Sequence, residues 1–395
     1  MKEEPGGEHV VPQHERFVAI GAAMIVGTAA LMVLGLQPIL LGALVDEGRL
    51  GTGGLGGAAT AEILAIAIGT WVGASLLNRG RLRAKCLAIC VALAAIDFAS
   101  ALPSFALPVA AVRAAAGLLE GLSLSAAILI MTHNRRPDRL SGIFLGAQTI
   151  PQVIAAYLLP TQIIPRWGAA GGFMILGGLA ALAALAALCL VDRIETNSAA
   201  PGRALQWSPA AIILSLAAFT QFAGIGAAWN YLERLAVQHG LSGEIIGIAI
   251  SGSLLFQIGG AWMAAWLGWR AGYRLALVVG CVAQAGVVIT LSLSGAPAMF
   301  VAASCAFGLF WLALQPFQVR YAIALDNSRS LAVFLTPVAL VGLSAGPLLV
   351  SPLAEAADLR WCYLGSSALL IASGVLYLSA VRVQSRRQAI TSEIL

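Results

Sequence analysis

Val109-Ala-Ala-Val-Arg113-Ala-Ala-Ala-Gly117-Leu-Leu-Glu120-Gly121 sets one arginine inside an apolar run that continues to Met131, with Glu120 as the only other charge. A segment of this length and composition predicts a helix that crosses a bilayer. A charge at that depth is expensive, and is kept where it faces an interior cavity or a partner. Glu120 follows seven residues later, on nearly the same helical face and roughly 10 Å along the axis. Gly117 falls between the two and removes side-chain bulk, which reads as a gap of the kind a translocation pathway uses. The stretch points to a transporter and leaves the cargo open.

Composition agrees with that class. The 395 residues are 59% hydrophobic and 10% charged, with a mean hydropathy of +0.89. Soluble domains carry about 25% charged residues, so an integral membrane protein is implied. Apolar runs of bilayer length recur at about 17–44, 61–78, 86–102, 105–131, 141–160, 168–190, 209–229, 244–268, 274–293, 298–322, 331–353 and 361–382. The net charge of +5 gathers in alternate loops: Arg79, Arg81, Arg83 and Lys85, then Arg135, Arg136 and Arg139, then Arg193 and Arg203, then Arg270 and Arg274, then Arg320 and Arg329, and finally Arg382, Arg386 and Arg387. The opposite loops hold Arg49, Arg166, Arg234 and Arg360. The positive-inside rule then puts both termini in the cytoplasm of a cell whose inner membrane holds the chain. The basic excess is topological, and no nucleic-acid partner is needed to explain it.

Other chemistry is sparse. The acid-rich first sixteen residues lack the basic start and short apolar core of a cleaved signal. The six cysteines form no C-x-x-C pair, so neither a disulfide framework nor a zinc site is expected. Cys86 and Cys90, one turn apart, read as packing. The four histidines lie in the tail or loops. No phosphate-binding glycine loop with its lysine is present, nor a hydrolase or zinc-protease motif. No cofactor and no enzyme activity are expected.

The chain repeats itself. Shifting by 191 residues lays Gly69, Trp71, Ala74, Leu76, Arg79, Arg83 and Gly117 on Gly260, Trp262, Ala265, Leu267, Arg270, Arg274 and Gly308. The polar stretch 191–208 divides six spans from six. The expected organisation is a tail 1–16, a six-helix bundle 17–190, the linker 191–208, a second bundle 209–382 and a tail 383–395. Two such halves related by an axis along the membrane normal are a known transporter architecture.

Arg113-Ala-Ala-Ala-Gly117 is similar to the fourth-span R-x-x-x-G motif of the major facilitator superfamily. Gly73-Ala-Ser-Leu-Leu-Asn78-Arg79-Gly80-Arg81-Leu-Arg83 resembles that family's loop motif G-x-x-x-D-R-x-G-R-R, with Asn78 in place of the acid and one residue missing before Gly80. The resemblance covers essentially the whole chain. It implies an all-α membrane protein of twelve transmembrane helices in two pseudo-symmetric six-helix bundles, working as a monomer by alternating access. It also implies a gating role for Gly73, Asn78, Arg79 and Arg83, with a latch built differently from the family's because the acid is absent. The fifth-span G-x-x-x-G-P pattern of drug antiporters is not intact, since Pro151 comes five residues after Gly146.

Polar groups at membrane depth need a partner, a cavity or water. Arg113 either binds an anionic cargo or takes part in proton coupling, with Asp97 or Glu120 as partner; a purely structural ion pair is the alternative. Glu120 is the first candidate for a titrating group. Glu62 and Glu244 read as acids at helix starts, facing water, and Asp46 and Glu47 as loop residues. The second half offers uncharged groups: Gln221, Trp229, Asn230 and Tyr231, then Gln257 and Trp262, then Gly308, Trp311 and Gln315. Gln37, Gln148 and Gln152 complete the set. Taken together, Gln37, Gln148, Gln152, Gln221, Trp229, Asn230, Gln257, Trp262, Trp311 and Gln315 are the expected binding residues for a cargo with a ring or apolar body. Interhelical hydrogen bonding is the competing role for each glutamine. The expected function is proton-coupled uptake of a small organic solute. Proton-exchange efflux and a non-transporting membrane receptor are the alternatives.

Overall fold

The computed structural model describes residues 13–77, 80–102, 107–132, 137–192, 207–267, 270, 272–326, 330–355 and 358–394. Asn78, Arg79 and most of the linker 191–208 lie outside this set. The described residues form an all-helical protein. Its first half holds α1 (Gln13–Asp46), α2 (Thr52–Leu76), α3 (Leu82–Ser100), α4 (Val109–Thr132), α5 (Pro137–Leu158) and α6 (Ile164–Ala187). Its second half holds α7 (Pro209–Asn230), α8 (Leu232–Gln238), α9 (Gly243–Leu267), α10 (Tyr273–Leu293), α11 (Pro297–Ala313), α12 (Gln315–Leu325), α13 (Ser330–Ala354) and α14 (Arg360–Ile394).

Ten described segments are long and apolar enough to cross a membrane. One of them, Gly142–Ala187, covers 46 residues, about 69 Å of helix, which is twice a bilayer. Gly168, at φ 61°, turns the chain within it, and Glu47 Oε1 caps the restarted helix by accepting the Ala169 amide at 2.7 Å. Helix α3 falls below the apolar threshold because its 19 residues hold Arg83, Lys85 and Asp97. Dividing the first and adding the second gives twelve spans. The tenth is broken at Leu314, where Pro316 withholds an amide, into α11 and α12.

The 191-residue shift recurs in the element bounds. It carries Thr52–Leu76 onto Gly243–Leu267 and Leu82 onto Tyr273, the first residues of α3 and α10. Close packing follows the same shift. Gly117 on α4 sits against the Glu62 carbonyl of α2, and Gly69 on α2 against the Leu118 carbonyl of α4. Gly308 on α11 sits against the Ser253 carbonyl of α9, and Gly260 against the Leu309 carbonyl. In lipid, where helices gain little from burying apolar surface on each other, such small-residue contacts hold helix pairs together. They also fix the rotation of each helix.

Overpacking at such a contact costs about 1–3 kcal/mol. Gly117→Ala is therefore expected to lower the thermal unfolding temperature in detergent. Gly286→Ala, at a site with open space around it, should leave that temperature unchanged or slightly raised; equal effects at the two sites would contradict the packing role of Gly117.

Candidate transport site

Five helices bring one buried charge cluster together. Arg113 on α4 donates from Nε to Glu62 Oε1 on α2 at 2.6 Å, and its Nη2 pairs with the same carboxylate. Nη1 donates to Asp97 Oδ1 on α3 at 3.1 Å. Nη2 lies 3.6 Å from Glu120 Oε1, two turns further along α4. Gln37 on α1 donates Nε2–H to the second Glu62 oxygen at 2.6 Å. The Phe173 ring of α6 lies 5.2 Å from the guanidinium carbon, a cation–π distance. Gln37, Glu62, Asp97, Arg113 and Glu120 are each at most 2% exposed. Two acceptor oxygens in the cluster, Gln37 Oε1 and Glu120 Oε2, have no hydrogen-bond partner.

Glu62 corrects the sequence reading. Gly51-Thr-Gly-Gly-Leu-Gly-Gly57 reads as a loop, which would place Glu62 at a wet helix start. The helix instead begins at Thr52, because glycines in its first turns let α2 lie against α13. Gly56 touches the Pro347 carbonyl and Ser351, and Gly53 touches Glu355. Glu62 therefore sits about 15 Å inside the helix. A second correction concerns Gly117: it opens no gap between Arg113 and Glu120. It seats α2 against α4 and thereby brings Glu62 to the arginine.

The uncharged residues separate into several roles. Gln221 belongs to a buried network with three residues that the sequence reading left out. Gln318 Nε2 donates to Gln221 Oε1 at 2.7 Å and to the Tyr377 hydroxyl at 2.9 Å. The Tyr377 hydroxyl donates to Gln221 Oε1 at 3.0 Å, and Gln221 Nε2 approaches Gln284 Oε1 at 3.4 Å. Gln152 donates to the Leu31 carbonyl of α1 at 2.6 Å, which is an interhelical bond. Gln148 bonds within its own helix, to Leu145 and Thr149. Asn230 is buried and donates to the Gly226 carbonyl at 3.0 Å. Gln257 and Gln315 are half-buried. Trp262, 82% exposed, stands on the outer surface of the protein, as its repeat partner Trp71 does at 79%. Trp229 and Trp311 pack edge to face, with centroids 5.4 Å apart, and Phe307 adds a second edge contact to Trp311.

The Trp229 contact has a backbone cause. Pro38 has no amide hydrogen, so the carbonyl of Leu34, four residues earlier in α1, loses its helical donor. The indole Nε1 of Trp229 donates to that carbonyl at 2.9 Å, across the boundary between the halves. Three further cross-half partnerships lie between this level and the end bearing Asp46. Thr60 donates to the Ser344 carbonyl at 2.6 Å and the Tyr231 hydroxyl to the Thr52 carbonyl at 3.3 Å. Arg234 holds both Asp46 oxygens, at 2.6 and 2.9 Å. Arg234 also binds its neighbour Glu233, whose carboxyl burial pushes up against the pull of the arginine. Among the described residues no hydrogen bond joins the halves at the opposite end. Gly73 there packs against Ser125, and Arg83 donates to the Leu190 carbonyl at 2.8 Å, both within the first half. The molecule is thus bonded shut at the Asp46 end.

No family model and no curated protein matches the sequence. Solved structures do. A bacterial homologue of the human lysosomal transporter Spinster, inward-facing and unoccupied, has a TM-score of 0.72 and 16% identity, covering 94% of this chain and 98% of that one. A point mutant of the nucleoside transporter NupG gives 0.76 at 11% identity, covering 92% and 99%. The human organic anion transporter MFSD10 gives 0.61 at 14% identity, covering 93% and 100%. Over nearly its full length the chain shares its fold with these three transporters.

Removing the cation from a buried ion cluster leaves uncompensated carboxylates and costs about 3–5 kcal/mol. Arg113→Met should lower the unfolding temperature sharply, and Arg113→Met combined with Glu62→Gln and Asp97→Asn should recover most of the loss. Failure of that recovery would show that the charge balance is not what Arg113 supplies. At the shut end, Trp229→Phe removes the Leu34 bond while keeping an aromatic ring. Spin labels at Gly51 and Val237, one in each half, should report a longer mean separation in that variant than in the wild type; an unchanged distribution would contradict a closing role for the bond.

Proposed function

We propose that the protein is a secondary transporter that carries a small organic solute across the cytoplasmic membrane by alternating access, and that solute uptake is coupled to protons bound at the Arg113 cluster. The observation that carries the coupling is the charge count: one guanidinium faces three carboxylates, those of Glu62, Asp97 and Glu120. Fully ionised, the set would hold a net −2 in a site closed to water. Two like charges about 4 Å apart repel by roughly 4 kcal/mol at an effective dielectric of about 20, and burying each unpaired ion costs several kcal/mol more. Keeping a carboxylic acid protonated at neutral pH costs only about 4 kcal/mol. A bound proton is the cheaper state for at least one of the three.

Glu120 is the residue for that proton. Glu62 accepts bonds from Gln37 and Arg113, and Asp97 accepts one from Arg113, whereas Glu120 holds only the 3.6 Å approach and has one bare oxygen. The position equivalent to Glu120 in the second half is Trp311, 191 residues on. This supports a division of labour in which the first half titrates and the Trp229–Trp311 pair, with the half-buried Gln257 and Gln315, meets the apolar or ring-bearing cargo. The excess of basic loop residues at the Arg83 end supports an inward-open state, shut on the outer side.

Purified protein in proteoliposomes with an imposed pH gradient, acid outside, tests this against a panel of small organic acids and ring compounds. At least one compound should accumulate above its external concentration. Glu120→Gln should abolish accumulation while leaving exchange at equal concentrations, and Trp311→Ala should raise KM by about tenfold, the loss of one aromatic contact with the bound ligand. Accumulation that survives Glu120→Gln would move the proton to Asp97 or Glu62. Movement of no compound under any gradient would defeat the transport reading.

A further inference from the structure

A second group of buried donors lies far from the Arg113 cluster, at the Arg83 end of the second half. Tyr273 opens α10, and Tyr321 is near the end of α12; their rings lie 5.3 Å apart. Two arginines approach the same Tyr273 ring. Arg274 Cζ is 5.7 Å and Arg320 Cζ 5.6 Å from its centroid. Arg274 spends one nitrogen on Gln384 of α14, at 3.2 Å. Arg320 Nη1 and the Tyr321 hydroxyl are both buried and have no partner, and Tyr321 itself is 0% exposed.

Two cations against one ring repel each other unless something negative lies near them. Among the described residues no carboxylate pairs with either arginine. Asp326, six residues after Arg320, accepts the amide of Leu331 at 3.0 Å. An arginine kept only for membrane topology would extend its fork into water. Arg320 instead buries one donor with no partner to receive it, an arrangement that costs free energy.

We propose that Arg274, Arg320 and Tyr321 bind a phosphate-bearing anion. Planar guanidinium forks and a hydroxyl are the donors that suit tetrahedral oxyanions. Arg320 lies five residues from the end of α12 and Arg274 one residue into α10, which is the depth of a lipid headgroup. The phosphate of an anionic phospholipid and free inorganic phosphate share this chemistry. Occupancy would tie α10, α12 and α14 together at the Arg83 end of the second half.

Delipidated full-length protein, mixed with phosphatidylglycerol or phosphatidylcholine at equal ratios, gives the test by native mass spectrometry. The expected result is preferential retention of phosphatidylglycerol, weakened about tenfold by Arg320→Gln, less by Tyr321→Phe, and unaffected by Arg270→Gln. Arg320→Lys, which keeps the charge without the fork, should fall between wild type and Arg320→Gln and guards against a folding defect. Stabilisation of wild type but not Arg320→Gln by millimolar inorganic phosphate, with no lipid preference, would assign the site to the free anion. If neither phosphatidylglycerol nor phosphate distinguishes wild type from Arg320→Gln, the proposal is overturned.

Discussion

A single guanidinium, Arg113, organises the first half of this protein. It is buried where water cannot solvate it, so its charge has to be met by buried side chains of its own and neighbouring helices. Glu62, Asp97 and Glu120 meet it from α2, α3 and α4, while Gln37 of α1 and Phe173 of α6 close the remaining sides. None of α2, α3 and α4 can rotate or slide by one turn without stranding a charge. The glycine contacts serve the same end. Gly117 and Gly69 allow α2 and α4 to approach closely enough for Glu62 to reach the arginine. The repeat makes the asymmetry plain, because Ser253, Val288 and Ser304 stand at the positions equivalent to Glu62, Asp97 and Arg113. At these three positions one backbone plan carries charge in one half and neutral groups in the other.

Closure at the Asp46 end is held by few and modest interactions. The five hydrogen bonds among Thr60–Ser344, Trp229–Leu34, Tyr231–Thr52 and Arg234–Asp46 contribute about 1 kcal/mol each. Their sum is close to the roughly 5.5 kcal/mol of differential binding that inverts a two-state population. Such an end can be held shut and still be opened by a modest difference in binding free energy between the two states. Pro38 contributes by subtraction: it removes a donor from α1, and the vacant Leu34 carbonyl becomes an anchor for the other half.

The sequence made the overall architecture legible because bilayer thickness imposes span length and topology imposes the basic loops. The 191-residue repeat was visible through Trp and Arg matches, and it reappears in the helix bounds. The buried Arg113, Asp97 and Glu120 were legible because charge in an apolar run has few explanations. Glu62 was hidden by its neighbours: glycine at positions 51, 53, 54, 56 and 57 reads as loop, whereas in lipid the same residues mark a close helix contact. Gly53, Gly56 and Thr60, spaced three and four apart, were the available signal. The Gln221 network was half visible, since Gln318 and Tyr377 lie on α12 and α14 and only tertiary packing joins them to α7. Trp262 shows the converse limit, because an aromatic on a span faces lipid as readily as cargo until the helix's rotation is known.

The most direct test of a proton stored at the Arg113 cluster is infrared difference spectroscopy of the carboxyl stretch in lipid-reconstituted protein at neutral pH. The expected spectrum contains a protonated carboxylic-acid band that shifts on deuteration and is missing in Glu120→Gln. A wild-type spectrum with only ionised carboxylates would contradict a bound proton and leave Arg113 as the centre of a structural ion cluster alone.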